Sequence, residues 1–161
     1  MEYLITPEEV GTLSRPISQH IDHQQITAYI TEVEQLIIRP KLGDYLFGAV
    51  KKNLTDYRVI LEGGSDDYGQ VCGGLKKALA YYTYARIIKY GATIPTRYGA
   101  VEKTDEYSVR IEQERKDTIY RECTQMADAY LEEVVKYSKM QGWVSDSEAG
   151  GIRSTVYIIG E

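Results

Sequence analysis

The stretch from Leu75 to Tyr90 leaves the chain few ways to fold. Wound at 3.6 residues per turn, Ala78, Leu79, Tyr81, Tyr82, Tyr84, Ala85, Ile87 and Ile88 leave little of a helix's circumference polar. A helix that is apolar nearly all round belongs in the middle of a bundle. Gly73 and Gly74 release the chain into it, and the rest of the sequence must supply the faces that cover it.

Several segments have the right periodicity. Thr6-Pro7-Glu8-Glu9 combines a hydroxyl cap, a proline at the first helical position and two acids at the positive end of the helix dipole. A short helix to about Leu13 follows from it. Pro16 then breaks the chain, and Asp22 with Gln25 three residues on makes a capping-box-like start for a second helix. Its apolar stripe is Ile26, Tyr29, Ile30, Val33, Leu36 and Ile37, and Pro40 is expected to end or kink it. Lys41 to Asp44 reads as a turn and a new cap, with Leu46, Phe47 and Val50 pointing inward from a third helix over Tyr45 to Lys52. The last helix is capped by Thr104 or Asp105 and runs to about Lys139, with the stripe Ile119, Cys123, Met126, Ala127, Tyr130, Val134 and Tyr137. Unbroken, it would be about 50 Å long at 1.5 Å per residue, so it is expected to break or to project into a partner. The stripes together predict a core of Ile30, Val33, Ile37, Leu46, Leu79, Tyr82, Ala85, Met126, Ala127, Tyr130 and Val134.

Three segments read as extended. Tyr57 to Leu61 is rich in β-branched residues, and after Gly63 to Asp67 a second such segment, Tyr68 to Cys72, completes a small β-hairpin. Gly91 to Thr104 carries Gly91, Pro95 and Gly99 among β-branched and aromatic residues and reads as a long extended loop. Loops of that length in compact domains are usually functional, so Ile94, Pro95, Arg97 and Tyr98 are candidate partner contacts, covered on assembly. After a Gly/Ser-rich stretch through Gly150-Gly151, Thr155 to Ile159 is a strand that cannot satisfy its own backbone. Val156, Tyr157, Ile158 and Ile159 are expected to pair with an extended segment of another chain, or to fold back onto the chain's own hairpin. The fold class expected is therefore mainly α: a helical bundle over residues 1–143 with a small hairpin, an extended loop and, over 144–161, a linker and terminal strand.

Little in the composition points to chemistry. A formal charge of −5, with Lys and Arg dispersed among acids, gives no basic footprint for direct, sequence-specific nucleic-acid binding. No apolar run approaches the roughly 20 residues of a membrane span, and the first residues lack the basic and apolar regions of a signal peptide. Cys72 and Cys123 belong to no CxxC pattern and read as free thiols in a reducing compartment. His20 and His23 are the only histidines, too few donors for a zinc site, which takes three or four protein ligands. Gly69 and Gly74 have P-loop spacing, but Leu75-Lys76 stands where Lys-Ser or Lys-Thr is needed. Neither a catalytic motif nor a metal or cofactor site is expected, and the chain reads as a non-enzyme. Its 15 Tyr against single Phe47 and Trp143 suit half-buried surfaces and interfaces as well as a core.

Three stretches carry a likeness: Leu4 to Val10, Ile37 to Leu46 with Arg39-Pro40-Lys41-Leu42-Gly43-Asp44 at its centre, and Gly74 to Arg86. Together with Gly99 to Thr104 and the last helix they resemble a family of small tailed-phage and prophage proteins, the head-tail connectors (adaptors) common in phages of gut Bacteroidetes. The resemblance reaches to about Trp143 and rests on packing motifs. It implies a helical bundle that docks on the portal at one capsid vertex, as a ring of about twelve copies that supports the tail. The implied partners are other copies of the chain and the portal and tail proteins. The implied location is the host bacterial cytoplasm during assembly and the virion afterwards. The residues also admit a protein- or peptide-binding regulatory module without catalytic activity, and, less readily, a small enzyme acting through its carboxylates.

Overall fold

The computed structural model describes residues 3–67, 69–97, 99–102 and 112–144. The chain runs through α1 (Pro7–Leu13), α2 (His23–Val33), a π-helical turn (Glu34–Ile38), α3 (Arg39–Leu42), α4 (Asp44–Lys52) and α5 (Arg58–Glu62). It continues through the strands β1 (Gly64–Asp66) and β2 (Gly69–Val71), the central helix α6 (Gly74–Tyr90), the strands β3 (Thr93–Thr96) and β4 (Gly99–Glu102), and α7 (Gln113–Met140). The architecture is a helical bundle with two separate antiparallel hairpins, β1-β2 and β3-β4. Among the described residues no helix is long and apolar enough to cross a membrane.

The first two helix starts fall where their caps demand, whereas α4 opens behind Gly43 with Asp44 as its first residue and no side-chain cap. Thr6 Oγ1 accepts the Glu9 N–H at 3.3 Å while Glu9 Oε2 accepts the Thr6 N–H at 2.8 Å, a complete capping box. Asp22 accepts the Gln24 N–H at 2.9 Å and opens α2. Beyond Val33 the helix widens into a π turn in which the Arg39 N–H donates to the Glu34 carbonyl, five residues back. A proline ring clashes with the carbonyl four residues before it and has no N–H to offer, so a widened turn ahead of Pro40 relieves both problems. The chain accordingly stays helical past Pro40, which sits in the first turn of α3, and stops at Gly43, whose φ of 82° suits glycine. The extra residue also rotates the apolar face. Ile26, Ile30 and Val33 are buried as expected, but Ile38 and Leu42 continue the stripe, Ile37 is half-buried, and Leu36 is turned out at 67% exposure.

Glu34, the first residue of the π turn, is 1% exposed. Its Oε1 accepts the Leu4 N–H at 2.7 Å and its Oε2 accepts Lys51 Nζ at 2.6 Å. One buried carboxylate thereby holds the segment before α1, the end of α2 and the end of α4.

The segment Tyr57 to Leu61, expected as a strand, is helical from Arg58 in α5. Ile60 and Leu61 are both buried, and two consecutive residues can both face the core from a helix but not from a strand with one buried face. Burial overrides the β-propensity of Val59 and Ile60. The hairpin forms further along: Gly64 to Asp66, expected within the turn, pairs with Gly69 to Val71. Gly74 (φ 68°) opens α6 where a Cβ would lie 2.4 Å from the Leu61 carbonyl oxygen, so only glycine allows α5 to approach this closely.

Helix α6 is the core element expected, with Leu75, Ala78, Leu79, Tyr82, Thr83 and Ala85 buried. Helix α7 lies antiparallel beside it: Tyr90 meets Tyr120, Tyr82 bonds Asp128, and Tyr81 stacks on Tyr130 with ring centroids 5.9 Å apart. At 28 residues α7 is about 42 Å long. It starts later than expected, because Glu112 is extended (φ −58°, ψ 148°); Thr104 and Asp105 lie outside the described residues. Its buried line is Cys123, Ala127, Leu131, Val134, Tyr137 and Ser138. Tyr130 and Ile119 are half-buried and Met126 is 37% exposed, because α7 covers α6 from one side and these side chains fall on its flanks. The segment after Gly91, expected to lack regular structure, forms the β3-β4 hairpin over residues 93–102. The expected terminal strand lies outside the described residues.

Two substitutions test this account. Leu79→Ala removes a fully buried side chain from the centre of α6 and is expected to cost about 2–5 kcal/mol, read as a lowered denaturant midpoint at unchanged slope. Glu34→Ala leaves the Leu4 N–H and the Lys51 ammonium without their acceptor, and a loss of about 3–5 kcal/mol is expected by the same measurement. A change within error for either would remove that group from the core.

Candidate interaction surface

The two hairpins differ in how they are held. On β1-β2 the Tyr137 hydroxyl donates to an Asp66 carboxylate oxygen, and the Cys72 N–H donates to Glu133 Oε2 at 2.9 Å. Val71 is buried, and Trp143 packs edge-on against Tyr57 and Tyr137 with ring centroids 4.9 and 6.0 Å away. This hairpin is part of the body of the protein.

The β3-β4 hairpin is held at its root. Gln25 Nε2 donates to the Gly91 carbonyl at 3.1 Å, while Lys89 lies 4.4 Å over the Tyr120 ring and 3.6 Å from Asp117. Beyond Gly91 the two strands pair with each other, and among the described residues neither packs broadly on a helix. Ile94 and Pro95 are in β3 and Arg97 follows it, exposed. These three candidate contacts are thus brought together on one projection. Tyr98, Val156, Tyr157, Ile158 and Ile159 lie outside the described residues.

Apolar side chains are exposed elsewhere too: Leu36, expelled by the π turn, and Tyr45, at 79% exposure on the first turn of α4, with the exposed Pro40 and Lys41 between them in sequence. Lys41 also lines a groove of about 330 Å³ against α7, with Leu131 and Val135 beside it and Asp128, Glu132, Lys136 and Lys139 around it. Neither feature was visible in the sequence, where Leu36 belonged to the inward stripe.

The titratable groups are spent on structure. The Tyr82 hydroxyl donates to Asp128 Oδ1, and burial first, then the Asp128 carboxylate, push the phenol well above its ordinary value. Burial likewise raises the Cys123 thiol, which disfavours the thiolate a nucleophile needs. The Arg39 guanidinium holds exposed Asp44 below the usual carboxylate range. His20 and His23 are both exposed, and His23 Nδ1 lies 3.5 Å from Glu8 Oε1. No group of three or more His, Cys, Asp or Glu side chains among the described residues is placed to hold a metal ion.

The Tyr82 environment has a consequence for stability. A phenol whose pKa is raised by folding contributes stability that is complete below the unfolded value of 10.0 and is lost as pH rises beyond it, because the unfolded chain sheds a proton that the folded one keeps. Stability measured from pH 9 to 11 should therefore fall with pH, and Tyr82→Phe should fall less steeply; parallel curves would show that this hydroxyl is not shielded.

Residues 38–141 match a family of unknown function, DUF6712. The match starts at the last residue of the π turn and runs one residue beyond α7, so it takes in both hairpins and the α6-α7 pair while leaving out α1 and α2. No curated protein and no solved structure matches the chain. With more than half of its length matched, the chain belongs to the DUF6712 family.

Proposed function

We propose that this protein is a structural subunit, a head-tail connector that assembles into a ring on a phage portal and supports attachment of the tail. The observation that carries the reading is the β3-β4 hairpin, which leaves the bundle at the end of α6 and, among the described residues, packs broadly on no helix. A two-stranded hairpin is marginal by itself and gains stability from a third strand or a packed face. A projection on one part of a subunit and its receptor on another make a heterologous contact, the kind that closes into rings when the rotation permits. The likeness of Leu4 to Val10, Ile37 to Leu46 and Gly74 to Arg86 to connector proteins supplies the partner: the portal on one side, tail proteins on the other. The protein would then reside in the host bacterial cytoplasm until assembly and in the virion afterwards.

The groove between α3 and α7 favours one alternative, a protein- or peptide-binding module, since Leu131 and Val135 offer an apolar floor within a charged rim. The two readings part on assembly. Electron microscopy and light scattering of the chain co-expressed with the portal protein encoded in the same genome should reveal rings of about a dozen copies. Shortening the β3-β4 hairpin should abolish the rings while leaving the melting temperature of the monomer unchanged. A chain that stays monomeric or dimeric with the portal present would overturn the connector reading and leave the groove as the working surface.

A further inference from the structure

The register of the β3-β4 hairpin decides which of its edges can accept another strand. Thr96 pairs with Gly99, Pro95 with Ala100, Ile94 with Val101 and Thr93 with Glu102. With only two residues between Thr96 and Gly99, the closing pair must be the one that exchanges both backbone hydrogen bonds, and such pairs alternate along an antiparallel ladder. Thr96-Gly99 and Ile94-Val101 therefore bond to each other. The backbone groups of Thr93, Pro95, Ala100 and Glu102 face outward.

On the outer edge of β3 the central position is Pro95, which has no N–H, so that edge cannot continue a ladder. On the outer edge of β4 both outward positions, Ala100 and Glu102, carry an N–H and a C=O. Nothing among the described residues pairs with them. Among the described residues the hairpin is blunted on one side and open on the other.

We propose that the open β4 edge receives the terminal segment Thr155 to Ile159 of a neighbouring copy, giving a three-stranded intermolecular sheet. This rests on the assembly reading above and names the two surfaces that meet. Thr155-Val156-Tyr157-Ile158-Ile159 is a run of β-formers without proline, suited to strand addition. Reach selects the neighbour over the chain's own hairpin. The hairpin's root lies level with Tyr120, and Met140 is twenty residues further along α7, about 30 Å at 1.5 Å per residue. Tyr157 is thirteen positions beyond Val144, and a relaxed chain of that length covers about 20 Å. Reaching its own hairpin takes about two-thirds of the chain's limit of about 45 Å, more than that relaxed span, whereas a copy placed head to tail brings its β4 edge to the donor's α7 end.

Two damaged copies should restore one contact between them. Ala100→Pro removes an outward donor without touching the β3-β4 ladder and keeps the terminal segment, while truncation after Ser147 keeps the edge and loses the segment. Each alone should run as a monomer by light scattering, and a 1:1 mixture should form a heterodimer and go no further, each pair having one intact edge and one intact segment. Thr93→Pro, the same change on the blunted side, should assemble like the unaltered chain. In that chain the amides of Ala100 and Glu102 should exchange hydrogen at least tenfold more slowly than in the truncated form, a measurement that needs no proline. Absence of the heterodimer with equal exchange at Ala100 and Glu102 would overturn the proposal, as would their protection in a species that sediments as a monomer. A heterodimer that forms while the unaltered chain makes no ring with the portal would uphold this pairing and sink the connector reading alone.

Discussion

The carboxylate of Glu34 is the point on which the first half of the fold is hung. Each oxygen has one partner, the Leu4 N–H on one and the Lys51 ammonium on the other, and those partners come from segments far apart in the chain. A buried charge left unpaired costs several kcal/mol, so any arrangement that separates these groups is penalised more steeply than one that merely loosens apolar packing. The pair adds little net stability over an apolar substitute. What it supplies is uniqueness of arrangement. Leu4 and Ile5, drawn in with the Leu4 N–H, are buried ahead of α1, and α4 is placed so that Lys51 reaches inward with its ammonium 5.2 Å from the centre of the Phe47 ring.

The same logic explains the tyrosines. A bundle centred on a helix that is apolar nearly all round could have used phenylalanine throughout, yet Tyr82 and Tyr137 each extend a ring across the core boundary and end on a carboxylate, Asp128 and Asp66. The ring contributes apolar area and the hydroxyl fixes where along the partner the ring must stop. Tyr82 thereby sets the position of α7 along α6, and Tyr137 ties the β1-β2 hairpin to α7. These hydroxyl-carboxylate bonds act on the second half of the chain as Glu34 acts on the first.

What could be read from the sequence follows from how local each signal is. Caps are local, so Thr6 with Glu9 and Asp22 placed α1 and the start of α2 correctly, and the crowding of apolar residues in Leu75 to Tyr90 located the central helix. Leu36 and Tyr57 to Leu61 were misread because their state is decided at a distance. The π turn answers a clash that Pro40 makes with a carbonyl four residues earlier, and a 3.6-residue periodicity carried through it puts Leu36 on the wrong face. Ile60 and Leu61 are helical because α6 lies beneath them, which propensity alone does not encode. Gly91 to Thr104 was read as an extended loop, but the pairing of Thr93 with Glu102 went unseen because a proline within a strand is normally a reason to reject one.

That proline sets the second hairpin apart from the first. Both are built alike, with two residues between the closing positions and a glycine just after them. The first stands where α7 and α5 can cover it, so its stability is supplied within the chain by Val71, Asp66 and Cys72. The second leaves the bundle where α6 ends, with the Gly91 carbonyl bonded to Gln25 at its root. A pair of short strands in water has two unpaired edges and little buried area, which invites both its own dissolution and indiscriminate pairing with other chains. Pro95 closes one of those edges to partners without weakening the ladder, because its missing N–H is the one that would have faced outward. A hairpin protected on one side only has a direction, and direction is what a subunit needs if its copies are to join head to tail.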